Sequence, residues 1–111
     1  MTVPLALRSP VPQEVGAELQ RVVQRWRQLP LDRALSYAGH VRALVQSLAD
    51  GVAEATGVRA SAVPDCGPAT LMDQLTVMVY DACAAAVSST RTSAQTSKLV
   101  QDLASLRREL A

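Results

Sequence analysis

The run from Leu71 to Val87 constrains this chain most, because twelve of its seventeen residues are Leu, Val, Met, Cys or Ala. The apolar positions are too dense to lie on one helical face, and a helix that is apolar nearly all round must be covered on several sides. Within it, Val77 and Val79 alternate with Thr76 and Met78 and allow a short buried strand over 75–80. The length of the run and its alanine tail favour helix instead. Pro68 suits the first turn, where its missing amide costs nothing, and Thr70 with Asp73 offers a hydroxyl-x-x-acid cap. Such a helix needs neighbours.

The rest of the chain supplies three. Over 12–29, Val15, Leu19, Val22, Trp26 and Leu29 are spaced 4, 3, 4, 3 on one stripe, with Ser9 and Pro12 as a start signal and Leu29-Pro30 as the stop. Over 31–56, Leu31, Ala34, Ala38, Val41, Val45, Leu48, Val52 and Ala55 alternate steps of three and four. This heptad seam ends where Gly57 can supply a left-handed residue. Gly57 to Gly67 has no period and reads as a loop. The polar break SSTRTS over 88–93 precedes Leu99, Leu103, Leu106 and Leu110, which predict a fourth helix over 93–110. Residues 1–10, with Pro4 and Pro10, read as an extended N-terminal arm of the kind that packs on a partner subunit or stays disordered. The expected fold is a single all-α domain over 1–111, a bundle of about four helices with the third (68–87) central.

Composition narrows the function. The core must be aliphatic, since the chain holds no Phe, one Trp and two Tyr. Net charge is +1, so no long-range field draws the chain to nucleic acid or to an anionic membrane. Ten of the eleven basic residues are Arg, a bias that a GC-rich bacterial coding sequence produces as readily as a functional demand. No segment reads as a signal peptide or a membrane span, and a cytoplasmic location is expected. The predicted helix holds Cys66 and Cys83 roughly 20 Å or more apart, which predicts free thiols and agrees with a reducing compartment.

Candidate chemistry is sparse. Cys66, in PDCGP before a helix N-terminus, is the sharpest candidate nucleophile, while Cys83 reads as a packed apolar residue. His40 is the sole imidazole and the candidate base. Asp73 and Asp81 stand nearly in line on the third helix and need partners if buried, with Tyr37, Tyr80, Arg33 or Arg42 within reach. Arg21, Arg25, Arg27 and Arg33 surround Trp26 in a mixture able to hold phosphate or stack on a base, although a solvated helix face explains it as well. No metal-ligand spacing, phosphate loop or cofactor motif occurs. The Trp-x-Gly motif of secreted helical hairpins is absent, because Arg27 and Gln28 follow Trp26.

Two functions follow as expectations. The first is a helical protein-protein interaction or regulatory accessory protein, homodimeric because the third helix needs more cover than its neighbours offer. The alternative is a small-ligand sensor or minor enzyme with Trp26, Met72, Met78 and Val79 lining a pocket near Cys66 and His40, and Asp73 as a further catalytic candidate.

Overall fold

A computed structural model describes residues 10–87 and 92–111. Among the described residues four α-helices follow one another: α1 (Gln13–Gln28), α2 (Leu31–Thr56), α3 (Leu71–Val87) and α4 (Thr92–Leu110), with a 3₁₀ turn, Pro68–Thr70, leading into α3. No strand occurs among the described residues, so 75–80 is helical. Of the expected arm over 1–10, residues 1–9 with the Ser9 start signal lie outside the described residues, as do residues 88–91 of the polar break expected over 88–93, whereas 92 and 93 already belong to α4.

Local chemistry sets the helix ends. Leu29 is extended (φ −74°, ψ 138°) ahead of Pro30, as proline demands of its predecessor, and α2 starts at once behind Pro30. Pro12 precedes α1 at ψ 153° rather than sitting within its first turn. Gly57 closes α2 at φ 72°, and the bonds Val58 N to Ala53 O (2.9 Å) and Gly57 N to Glu54 O (3.4 Å) satisfy two terminal carbonyls. The capping box expected at Thr70 and Asp73 is replaced by the 3₁₀ turn, in which Thr70 Oγ1 donates to Gly67 O at 3.0 Å.

The core is aliphatic and draws on all four helices: Val15 and Val22 from α1, Ala38, Val41 and Val45 from α2, Leu71, Leu75 and Val79 from α3, and Leu99, Leu103, Leu106 and Leu110 from α4. No polar or charged residue is buried in it among the described residues. The helices associate chiefly as two pairs, α2 with α3 and α1 with α4, and α3 also touches α1 and α4. Gly39 and Arg42 face the start of α3, and Val52 and Ala55 face its end, so α2 and α3 run parallel. Parallel neighbours need a return path along their length, and the segment 58–67 provides it. His40 lies by Glu109 and Ser47 by Lys98, which makes α4 antiparallel to α2.

Side chains of α2 and α3 pin the return segment. Gln46 donates Nε2 to Ser61 O at 3.0 Å and accepts from Val63 N at 2.8 Å, as a neighbouring strand would. Gln74 donates to Pro64 O at 2.9 Å. Arg42 meets Asp65 at 3.0 Å, an exposed pair that contributes little by itself. Removing the amide leaves a partly buried backbone N–H unpaired, so Gln46→Ala is expected to cost about 1–2 kcal/mol. Amide exchange read by NMR should show Val63 losing protection while α4 keeps its own.

The α1–α4 pair is joined by charge. Glu18 accepts from Arg107 Nε at 2.7 Å and from Arg21 at 3.1 Å, while Arg25 Nε donates to the terminal carbonyl of Leu110 at 2.7 Å. The hydrogen bond from Arg107, reinforced by the charges of Arg107 and Arg21, outweighs burial and holds the Glu18 carboxyl below its ordinary value. A depressed folded value means that the unfolded chain binds the extra proton. This stability is therefore complete above about pH 4.3 and is lost as pH falls through the folded value. Urea unfolding of wild type and Glu18→Gln should differ at pH 7 and converge at low pH; a gap that persists unchanged at low pH contradicts the assignment.

Candidate functional site

The helix that most needed cover is covered along one stripe only. Leu71, Met72, Leu75, Val79, Cys83 and Ala86 are buried, at steps that return to one side of α3. On the opposite side Val77, Tyr80, Ala84 and Val87, spaced 3, 4, 3, face outward. Val77 is 53%, Tyr80 47% and Val87 67% exposed, although all three are large and apolar or aromatic. A surface helix normally places its polar residues there. Only Asp73, Thr76 and Asp81 interrupt this side, and α3 has no basic residue.

The stripe continues onto the return segment. Val77 and Met78 share a shallow cavity with Val63, and Met78 and Val63 in turn line a groove with Val58, Arg59 and Ala62. Val58 is itself 64% exposed. The result is a contiguous apolar patch with Asp73 and Asp81 on α3 and Arg59 on the far side. These three charges take part in no ion pair among the described residues. The expected partner Arg42 is occupied by Asp65, and Tyr37 packs against the core.

The other candidates are dispersed. His40 is exposed on α2 with Nδ1 2.6 Å from Glu109 Oε2, and the cavity it lines with Leu44, Ser105 and Leu106 does not include Cys66. Cys66 is exposed in the return segment, and Asp65 beside it bonds Gly67 N and Arg42. Cys83 is buried, and burial pushes its thiol up. Met72 and Val79 belong to the closed core, with Trp26 packed partly buried against it, whereas Met78 lines the patch. Of the basic cluster, Arg21 and Arg25 are engaged at the α1–α4 junction. No group of three or more His, Cys, Asp or Glu is placed to hold a metal among the described residues. Nor is any described helix long and apolar enough to cross a membrane.

Periodicity alone did not disclose the patch, because α3 is apolar on every side and no pattern says which side stays open. The length of the loop between Gly57 and Gly67 was the available signal for a return path. No family model, curated protein or solved structure matches the chain.

Proposed function

We propose that this chain is a helical interaction protein that works as a homodimer, paired through the outer face of α3. The observation that carries this reading is the contiguous apolar patch of Val77, Tyr80, Ala84 and Val87, extended by Val58, Val63 and Met78. Apolar patches of this kind mark interaction surfaces. A second copy is the favoured occupant because the patch carries both signs of charge. In a two-fold contact the same surface faces itself, so Arg59 of one copy can meet Asp81 of the other across an apolar centre.

Nothing in the described residues assembles a nucleophile with a base, so a binding or regulatory role for the dimer fits better than catalysis. The free thiols Cys66 and Cys83 accord with work in the cytoplasm. Sedimentation velocity across a dilution series tests the reading: a reversible monomer–dimer equilibrium in the micromolar range is expected, and a monomer at every concentration overturns it.

A further inference from the structure

We propose that the cleft between α2, α3 and α4 is a binding site for a small, neutral, single-ring aromatic molecule bearing one hydrogen-bonding group. The site is separate from the dimer surface, because it uses Ala82, Cys83, Ala85 and Ala86 of α3 rather than the outer stripe. It is a half-open cleft of about 160 Å³ whose lining includes Leu48, Val52, Cys83, Ala86 and Leu99. An apolar cavity of about 150 Å³ is large enough to take up benzene.

Three observations define the occupant. Gly51 sits inside α2, where glycine weakens a helix, yet a Cβ built there meets nothing within 4 Å. Packing does not require this glycine, and a larger side chain there would project into open space beside the cleft lining. Cys83 lines the cleft from the edge of the core, where it is 4% exposed and burial pushes its thiol up. Polar groups gather at one rim, mainly Gln95, Thr96, Lys98 and Asp102 of α4. There Lys98 is already matched by Asp102 at 3.3 Å, so the rim offers hydrogen bonds without a surplus charge. A neutral ring therefore enters ring-first and leaves its polar group at α4.

The test uses p-cresol and toluene with the full chain. With p-cresol at tenfold excess over its dissociation constant, Tm is expected to rise by about 5 °C. In a Cys66→Ser background, p-cresol should also slow modification of Cys83 by a soluble disulfide reagent. Toluene should bind about tenfold more weakly, the loss of one hydrogen bond. Gly51→Leu closes the mouth and should abolish both effects while circular dichroism stays helical. Ala55→Leu, at the exposed end of the same wall, serves if Gly51→Leu does not fold. Absence of both a Tm shift and Cys83 protection up to about 5 mM p-cresol overturns the site. An undiminished p-cresol effect in the closed variants also overturns it, and equal affinity for toluene overturns the polar contact.

Discussion

Leu75→Ala should destabilise this protein by about 3 kcal/mol, whereas Leu31→Ala should change stability by no more than about 0.5 kcal/mol. The two leucines look alike in the sequence, each on an apolar helical pattern. Leu75 is fully buried where α3 meets its neighbours, so truncation loses its transfer free energy and leaves a void that the surrounding Val and Leu side chains cannot close. Leu31 heads the heptad seam of α2 but is 70% exposed, because α2 extends beyond the helices that cover it. Its removal takes away little contact. Chemical denaturation of both variants with a common slope reads the difference directly, and a large cost at Leu31 would mean that the seam is covered along its whole length.

The double substitution Val77→Lys with Val87→Lys should raise the dissociation constant of the proposed dimer about a hundredfold while leaving the fold intact. Burying each exposed valine at an interface contributes on the order of 1 kcal/mol, and a lysine placed there must also be desolvated without a partner. Together these exceed the about 2.7 kcal/mol that a hundredfold change represents. Stability of the monomer should hardly move, since both valines face away from the core. Sedimentation equilibrium gives the constant and circular dichroism the fold. An unchanged constant would remove α3 from the interface, and an unfolded variant would show that the stripe is internal packing.

The helices themselves were legible. Pro30 and Gly57 punctuate the chain where steric rules require, and Leu99, Leu103, Leu106 and Leu110 are buried as their spacing predicts, as are Val15, Val22 and Leu29 of the first stripe, whose Leu19 and Trp26 are only partly buried. Their mutual arrangement was less so. Nothing local links Glu18 to Arg107, 89 positions away, yet this contact joins the first and last helices. The heptad seam of α2 gave the right side of the helix but not how far cover reaches, so Leu31 and Ala55 emerge while the seam residues Ala34, Ala38, Val41 and Val45 are enclosed. A seam of period 3.5 also does not tell whether its partner runs parallel or antiparallel. Here the partner α3 is parallel, and the loop that appeared featureless is the return segment that Gln46 and Gln74 hold. The surplus of apolar residues on α3 was visible from the start. What composition could not show is that the surplus collects on one exposed side, together with the unpaired charges of Asp73 and Asp81.

Disulfide trapping reads that surface most directly. In a Cys66→Ser background, a cysteine at Tyr80 or at Ala84 is brought close to its counterpart if two copies pair along α3, and mild oxidation should then give a covalent dimer rapidly at one or both positions. Gln20→Cys, on the exposed polar face of α1, should react only at the rate of random collision. Cross-linking at Tyr80→Cys or Ala84→Cys far ahead of Gln20→Cys is the result expected of a dimer built on α3. Rates no faster than that of Gln20→Cys at both positions would contradict it.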